Sequence, residues 1–419
     1  MRSILLFLGI GIGLLIVLSE AKAQERNPFM YGEIETVDGD VYKGHIRWGT
    51  DEVYWVELFN AVKRSNDFLK FLSKKEVNEL NQQQQDGGSS WLGIDLGVLS
   101  IWEDRFSRTQ HQLDIQFGDI KIVEPSGRSR ARLTLKNGVI LEAEGSNYSD
   151  LGTSVVVHDF ELGDFPIKWD RIKEVRFSAA PEGSNAGFGE PIYGIVNAGR
   201  KGTFKGLIQW DSDERFMDEL LNGEDRDGKK DIPFRSIKTI TKRGNGVDLV
   251  LHSGRDFYLT GSNDVNRENR GVVIFDPEMG RVMVPWRDFY DIEIIEPNNE
   301  WILEYNDFAN PKGISGTVVT VDGKEHKGLL AYDLDEAWEF EMLDANDDEV
   351  TYQIPFRNIK SIVPKNYSYS NIILKNGTNL LLGGARDVSD QNDGILIFPS
   401  QNAEPIYVRW SEIDQVIFD

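Results

Sequence analysis

The chain repeats one short phrase three times, and this repetition limits the possible fold more than any local motif does. The copies are IQFGDIK (Ile115 to Lys121), IPFRSIK (Ile232 to Lys238) and IPFRNIK (Ile354 to Lys360). A second phrase follows each copy: LTLKNG (Leu133 to Gly138), LVLHSG (Leu249 to Gly254) and IILKNG (Ile372 to Gly377). A fixed period longer than 20 residues indicates a repeat architecture. We therefore predict a tandem array of small β units.

The first 23 residues have the features of a secretory signal peptide. Arg2 gives a positive start, Ile4 to Leu18 is an apolar run, and Ala21-Lys22-Ala23 offers small residues for cleavage. An uncleaved membrane anchor is the alternative, but 15 apolar residues are fewer than the roughly 20 that a spanning helix needs. We expect an exported protein that starts at Gln24 and has no transmembrane segment. It would be periplasmic, associated with the outer membrane or extracellular.

Charge and cysteine usage narrow the possible partners. The chain has no cysteine, so it forms no disulfide and must be stabilised by its hydrophobic cores. Its net charge of −23 becomes −24 when Arg2, Lys22 and Glu20 leave with the signal peptide. So acidic a surface repels phosphate backbones and anionic lipids, which argues against nucleic acid as a partner. It suits divalent cations, basic partners, or solubility alone.

Each repeat divides into an A half and a B half with fixed spacings. In an A half, a glycine is followed by a second glycine at +12, an aromatic residue at +16 and an acidic pair at +19. The A-half positions are Gly32, Gly44, Trp48 and Asp51-Glu52; Gly194, Gly206, Trp210 and Asp213-Glu214; Gly316, Gly328, Tyr332 and Asp335-Glu336. The dipeptides Asp38-Gly39 and Asp322-Gly323 predict tight hairpins. The same strands and turns should therefore recur in each repeat.

A period of three residues closes all six halves. Each closing aromatic residue is followed by apolar residues at +3 and +6. The sets are Phe117/Ile120/Val123, Trp169/Ile172/Val175, Phe234/Ile237/Ile240, Trp286/Phe289/Ile292, Phe356/Ile359/Ile362 and Trp410/Ile413/Val416. This period predicts a single 3-10 turn between two strands. We expect an all-β protein of six five-stranded small barrels, paired within residues 24–178, 191–295 and 312–419.

The A halves resemble the first motif of Sm-like barrels. TVDGDVYKGHIRW (Thr36 to Trp48) and TVDGKEHKGLLAY (Thr320 to Tyr332) share an apolar residue, Asp-Gly, a second glycine, an alternating strand and then an acidic residue. The resemblance covers roughly 30 residues per A half and implies a barrel, an architecture that Src-homology-3-type barrels share. The Sm-like pattern has Asn in the turn where RNA is held. Here Glu52, Glu214 and Glu336 are followed by Val, Arg and Ala, which argues against RNA binding.

The first A half carries an insertion at about residues 60–107. Trp48 and Phe117 are 69 residues apart, whereas the equivalent pairs in the other repeats are 24 apart. Asn60 to Gln85 predicts a helix. The apolar residues of an insertion must cover another part of the chain or meet a partner, and we expect cover of the adjoining B half. The alternative is a partner site formed by Phe68, Phe71, Trp91 and Trp102, since Trp is enriched at interface hot spots.

The motifs of common enzymes are missing from the sequence. Five histidines lie in five separate segments, and there is no cysteine nucleophile, G-x-S-x-G elbow, H-E-x-x-H motif or P-loop. We therefore expect a non-catalytic binding or scaffolding protein for an envelope protein or a surface polymer, with no cofactor. A carboxylate-based glycan hydrolase is the alternative from another class.

Three polar features could still carry chemistry. The acidic pairs are either solvated hairpin tips or weak Ca²⁺ sites, and a Ca²⁺-dependent adhesion or structural protein is a further alternative. Acidic loops near them are Glu224, Asp225 and Asp227, and Asp344, Asp347 and Asp348. The stretch Gly261 to Gly271 either holds a broad turn through Asn and Asp side chains or forms a sugar or metal site. The linker Glu296 to Pro311 has enough aromatic residues to dock on a neighbouring unit.

Overall fold

The computed structural model describes residues 26–77, 80, 112–145, 150–159, 161–400 and 403–419. The predicted signal peptide, Gln82 to Gln85, Trp91 and Trp102 lie outside these residues. The described chain is all-β, as predicted, and its sheets are antiparallel. The structure contains, within the same residues, no helix whose length and apolar character would let it span a membrane.

Ten strands form the first unit. They are β1 (Tyr31–Thr36), β2 (Val41–Trp48), β3 (Leu58–Lys63), β4 (Gln112–Gln116), β5 (Ile120–Gly127), β6 (Arg130–Leu135), β7 (Ile140–Glu144), β8 (Val155–Asp159), β9 (Gly163–Ile167) and β10 (Ile172–Phe177). The first five belong to the A half and the last five to the B half.

The second and third units each repeat this set of ten strands. The second has β11 (Tyr193–Asn197), β12 (Thr203–Trp210), β13 (Leu220–Asp225), β14 (Gly228–Pro233), β15 (Ile237–Arg243), β16 (Gly246–Leu251), β17 (Asp256–Leu259), β18 (Val272–Asp276), β19 (Gly280–Val284) and β20 (Asp291–Ile294). The third has β21 (Ser315–Thr320), β22 (Glu325–Ala331), β23 (Met342–Asp347), β24 (Val350–Pro355), β25 (Ile359–Pro364), β26 (Tyr369–Leu374), β27 (Asn379–Gly383), β28 (Ile395–Phe398), β29 (Ile406–Val408) and β30 (Ile413–Phe418).

The two halves of each unit exchange strands. In the first unit, β1 and β2 of the A half pair with β10 and β8 of the B half, while β3 pairs with β7. The strand order is therefore β4-β3-β7-β6-β5-β10-β1-β2-β8-β9. In the third unit β21 pairs with β30, β22 with β28 and β23 with β27, in the same arrangement. The second unit repeats it, with a single bridge between Glu224 and Thr260 joining the ends of β13 and β17.

The prediction of six separate barrels is wrong. The sheets are not closed into barrels. In the first unit, β1 and β2 of the A half lie with β8, β9 and β10 of the B half, and β3, β4 and β5 of the A half lie with β6 and β7 of the B half. The physical reason lies in the similarity of the halves. Because both present the same alternating strands, β2 can pair with the third strand of the B half as readily as with the third strand of its own half. Sequence pattern specifies the strands and the buried face, but not which of two equivalent partners is used.

The twelve-residue glycine spacing follows from this exchange. Gly32 faces Gly44 across the β1–β2 hairpin. A Cβ atom on Gly44 would lie 2.0 Å from the carbonyl oxygen of His158 in β8, and one on Gly32 would lie 2.3 Å from that of Arg176 in β10. In the third unit Gly316 and Gly328 face each other in the same way. Glycine is therefore needed where the exchanged strands cross the hairpin.

Five of the six predicted 3-10 turns are confirmed. A 3-10 turn starts at five of the six closing aromatic residues, and a turn includes the sixth, Trp286. All eighteen apolar residues of the six closing sets are buried. Trp48, Trp210 and Tyr332 are fully buried as well. The period of three was therefore a reliable signal of local structure, although it did not specify how the strands pair.

The three units pack against one another rather than lying in a row. Strand β19 pairs with β24, which makes one continuous sheet of the second and third units. Residues of the second unit, including Leu207 and Phe275, share a hydrophobic core with the first unit. The linker docks on the first unit, as predicted: the ring centroids of Tyr305 and Trp55 are 4.7 Å apart, and the Tyr305 hydroxyl donates to the Ile120 carbonyl at 3.2 Å.

The described part of the insertion differs from the prediction in its secondary structure. It is not one helix from Asn60, since Asn60 to Lys63 belong to β3, Leu69–Phe71 is a 3-10 turn, and residues 74–77 and 80 are helical. Its first residues lie against the adjoining B half, where Lys63 pairs with Ala143 of β7, whereas the described apolar residues that follow pack on another unit. Leu80 packs in a cluster with Ala331, Leu334 and Leu396 of the third unit. The insertion reaches that unit because strand β3, in which it begins, ends beside the third unit, where Lys63 contacts Asp335.

Strand exchange makes a testable prediction for isolated fragments. Residues 312–366 hold the five strands of the third A half but lack β28 and β30, with which β22 and β21 pair. We expect this fragment to be unfolded and residues 312–419 to fold, as judged by near-ultraviolet circular dichroism and amide chemical-shift dispersion. A cooperatively folded 312–366 fragment would contradict the exchange.

Candidate functional site

A cavity of about 860 Å³ lies where the three units meet. Nine of its described lining residues are carboxylic acids: Glu52, Glu57, Asp114, Asp333, Asp335, Glu336, Glu341, Asp344 and Asp387. Of the described residues that line it, Arg281 and Arg386 alone carry positive charge. Asn, Gln, Thr and Tyr side chains make up most of the remaining polar surface. The cavity is therefore strongly acidic.

A repeated glutamate builds the turn after the acidic pair in each A half. Glu57 accepts hydrogen bonds from the backbone N–H groups of Val53 and Tyr54 at 2.6 and 2.8 Å. Glu219 and Glu341 accept the equivalent two bonds in the second and third units. Sequence reasoning missed these glutamates. Their signal was present, since each lies five residues after the second member of an acidic pair.

The same glutamate also joins units in two of the three cases. Glu57 Oε1 accepts from Arg215 Nη1 at 3.0 Å and from Gln209 Nε2 at 2.6 Å, both in the second unit. Both partners of the Glu57–Arg215 pair are buried. Burial raises the pKa of Glu57, an effect that the charge of Arg215 opposes. The turn that shapes the cavity wall thus also fixes the second unit against the first.

Lys63 joins the first unit to the third in the same way. Its Nζ lies 2.5 Å from Glu341 Oε1 and 3.0 Å from Asp335 Oδ1, and the three side chains are at most 15% exposed. Burial acts to lower the pKa of Lys63, but attraction by Asp335 and Glu341 outweighs it and the pKa is raised. Removing one member of such a buried pair leaves an uncompensated charge, at a typical cost of about 3–5 kcal/mol.

The acidic pairs are not solvated hairpin tips throughout. Asp51 and Asp213 are exposed, as expected for tips, but Asp335 is buried. The second members turn inward, and burial raises the pKa of Glu52 and of Glu214 to about 8. The tip interpretation is wrong for these glutamates because a backbone bridge ties each to the buried aromatic residue four positions earlier.

An aspartate in each B half pins the third strand of the A half. Asp150 Oδ2 accepts from the backbone N–H of Asn60 at 2.6 Å and from its Nδ2 at 3.0 Å. Asp264 Oδ2 accepts the same two bonds from Asn222, at 2.7 and 2.9 Å. Asp264 belongs to the polar stretch Gly261 to Gly271. The prediction that Asn and Asp hold a turn there is confirmed, since Asn269 Nδ2 donates to the Asp264 carbonyl at 3.1 Å.

In the third unit a carboxylate replaces the asparagine of this bridge. Asp387 Oδ2 accepts from the backbone N–H of Asp344 at 2.7 Å, but residue 344 has no amide to give the second bond. Burial and the nearby charges of Asp344 and Asp333 raise the pKa of Asp387 well above its ordinary value. Burial raises the pKa of Asp344 to about 6. Two acidic side chains therefore lie together on the cavity wall.

All three units contribute to a polar cluster around Asp114 in β4. Gln353 Nε2 and Gln112 Nε2 donate to Asp114 Oδ2 at 2.6 and 2.7 Å, and Arg281 Nη1 donates to Gln353 Oε1 at 3.1 Å. Asp114 is 5% exposed, and its Oδ1 is buried with no hydrogen-bond partner among the described residues. Burial and repulsion by Asp344 raise the pKa of Asp114 to about 7.

The acidic loops suggested for Ca²⁺ are paired with lysines. Lys201 Nζ lies 2.6 Å from Asp347 Oδ1 and 2.5 Å from Asp348 Oδ2. In the second unit, Asp225 pairs with Lys230 at 2.8 Å. Throughout the described ranges, no group of three or more His, Asp or Glu side chains has a geometry that could hold a metal ion.

The residues predicted for partner binding lie away from the cavity where they are described. Phe68 and Phe71 pack near Phe398, with ring centroids 6.3 and 5.2 Å away, and Phe71 remains 42% exposed. Trp91 and Trp102 fall outside the described residues. Partner binding by these four residues stays a prediction, and neither Asp114 nor Asp387 is among the residues predicted from the sequence to bind a partner.

Comparison with known proteins finds no family model, no curated protein and no solved structure that matches this chain. Its function must therefore be argued from the cavity itself. The features available for that argument are the excess of carboxylic acids, their raised pKa values and the buried oxygen of Asp114 that has no partner in the described part of the chain.

The raised pKa values predict how stability depends on pH. A carboxyl whose pKa is higher in the folded state stabilises that state below its unfolded pKa, and this contribution is lost as the pH rises through the folded pKa. Asp114, at about 7, should therefore reduce the free energy of unfolding between about pH 4 and 7. We expect Asp114→Asn to unfold at a higher temperature than the wild type at pH 8, with the difference vanishing near pH 4. An equal effect at both pH values would contradict the assigned environment.

Proposed function

We propose that this protein is a non-catalytic, exported binding protein of the cell envelope whose ligand places a positively charged group in the central cavity. The proposal rests on one observation: nine carboxylic acids and two arginines line the described part of one cavity. The ligand would be a basic group of an envelope protein or of a surface polymer. Export is inferred from residues 1–23, as in the sequence analysis.

Electrostatics supports a cationic ligand over a neutral or anionic one. Carboxylates that are buried together repel one another, and part of that cost is avoided by protonation, which is why several pKa values are raised. A cation that binds only the folded state removes the repulsion and stabilises the protein by mass action. An anion would face the same carboxylates and be repelled.

A specific observation also favours glycan hydrolysis as the second candidate. Asp344 and Asp387 are adjacent, and their pKa values differ, with Asp344 at about 6 and Asp387 raised well above its ordinary value. Cleavage of a glycosidic bond uses a protonated and an ionised carboxyl group on opposite sides of the bond, roughly 5–10 Å apart, and the different pKa values of this pair would supply the two protonation states. Turnover of an envelope glycan that is lost in Asp387→Asn would favour this candidate over binding alone.

The likeness of the A halves to Sm-like barrels can be reconciled with the open sheets. We infer that each unit is a pair of small-barrel motifs that have exchanged their first two strands. The support is the repeated pairing of β1–β2, β11–β12 and β21–β22 with strands of the opposite half. Such an exchange keeps the local pattern of the motif while changing its partners.

Calorimetric titration tests the binding proposal directly. We expect 1,5-diaminopentane to bind the mature protein at pH 7.5, with an affinity that falls as salt is raised, and 1,5-pentanediol, which has the same length and no charge, not to bind. Gln391→Lys should weaken binding of the diamine several-fold, because residue 391 is exposed and lines the cavity, so the new ammonium would compete with the ligand.

Gln415→Lys is the matched control, since residue 415 lies on β30 and is not among the residues that line the cavity. It should bind the diamine as the wild type does. Equal binding of diamine and diol, or equal loss in the two lysine variants, would contradict a cationic site in the cavity.

A further inference from the structure

The three copies of the Asn–Asp bridge allow an internal comparison. In the first and second units, an asparagine at the start of the third strand gives its backbone N–H and its side-chain amide to the aspartate of the B half. In the third unit the backbone bond is kept, but the asparagine has become Asp344. Asparagine at this position therefore forms the bridge in two of the three units, and a carboxylate is not needed to form it.

The replacement has a cost within the fold. It removes one hydrogen bond to a buried carboxylate, and it puts a second acidic group beside the first, so that each disfavours ionisation of the other. Such a change would be expected to destabilise the third unit. An asparagine at 344 would remove both costs, which a hydrogen bond from Gln353 and the charge of Arg281 offset only in part, since the pKa of Asp344 is still raised.

The position of the replacement points to a ligand. Asp344 and Asp387 both line the cavity, as does Asp114 from the first unit. Asp114 is the second, independent sign of a site, since its Oδ1 is buried and unpartnered within the described chain. Its other oxygen is held by Gln112 and Gln353. Three acidic side chains from two units therefore surround one region of the cavity, and one of their oxygens lacks a donor.

We infer that Asp114, Asp344 and Asp387 form a subsite for a primary ammonium group. This inference rests on the proposed function and names the group that the cavity takes. An ammonium ion has three N–H donors that point in different directions, which suits three separate carboxyl groups. A guanidinium would present its donors in one plane, which suits a single carboxylate. No set of three such side chains in the described residues has metal-binding geometry.

Charge balance favours a cation at this subsite. Arg281 of the second unit contacts Gln353 at 3.1 Å, and its positive charge acts on both Asp114 and Asp344, while Arg386 acts on Asp387. The pKa values of all three carboxyl groups are raised in spite of these two guanidinium groups. A bound ammonium would offset the repulsion that remains when the carboxyl groups ionise.

The test exchanges aspartate and asparagine, which have nearly the same shape, at equivalent positions of the bridge in the third and second units. Asp344→Asn gives the third unit the amide that the other two units have. We expect it to weaken binding of 1,5-diaminopentane at pH 7.5 at least tenfold while its melting temperature stays equal to or above that of the wild type. Asn222→Asp makes the reverse change in the second unit, at a residue that does not line the cavity. It should lower the melting temperature and leave the dissociation constant within twofold.

A further variant and a further ligand distinguish failure of the ammonium subsite from failure of the proposed function. Asp114→Asn should give the same loss of binding from the first unit. The bis(trimethylammonium) analogue with the same five-carbon chain has no N–H donor and should bind at least tenfold more weakly than the diamine. If the wild type does not bind the diamine, the proposed function and this inference both fail. If the wild type binds it and Asp344→Asn binds it equally well, the ammonium subsite is wrong while a cationic site elsewhere in the cavity stands.

Discussion

Buried ion pairs between units determine the shape of this protein. Glu57 meets Arg215 at the junction of the first and second units, and Glu341 meets Lys63 at the junction of the first and third. Each glutamate also accepts two backbone hydrogen bonds in its own turn. The same carboxylate therefore holds a local turn and a unit junction. Because a buried charge that loses its partner is costly, the relative placement of the units is strongly specified.

This way of joining units leaves an acidic space between them. The turns that supply Glu57 and Glu341 also supply Glu52, Asp335 and Glu336, and all five line the cavity. The cations at the junctions neutralise some of these groups, but Glu336 keeps one buried oxygen that has no hydrogen-bond partner among the described residues. The acidity of the cavity is thus a consequence of placing repeated acidic turns face to face. A positively charged ligand is the simplest way to compensate for it.

Local structure was predictable from the sequence, but strand pairing was not. The period of three after each closing aromatic residue predicted the 3-10 turns, and the eighteen apolar residues that carry it are all buried. The glycine spacing marked the hairpins. Glycine is required there because β8 and β10 approach the hairpin closely, and this contact cannot be known before the exchanged strands are known. Two halves with one pattern have two ways to pair, and no residue in either pattern chooses between them.

The site was predictable only in part. The acidic pairs and the loop with Asp344 stand out in the sequence, but only as solvated hairpin tips or weak Ca²⁺ sites, because inward orientation depends on contacts between units. Glu57 and Glu341 carried a fixed spacing that could have been found. Asp114 could not, since its equivalents directly before the repeated phrase are Asp231 and Gln353, and its role depends on the contact with Gln353 of the third unit.

The account depends most on the claim that buried ion pairs make the three units one cooperative body. Differential scanning calorimetry of Lys63→Met tests this claim, with Lys43→Met as the control, because Lys43 forms an exposed pair with Glu33. The account predicts a single transition in the wild type that Lys63→Met shifts as a whole to lower temperature, by an amount equivalent to about 3–5 kcal/mol, while Lys43→Met leaves it in place. Separate transitions, with only one of them sensitive to Lys63→Met, would contradict it.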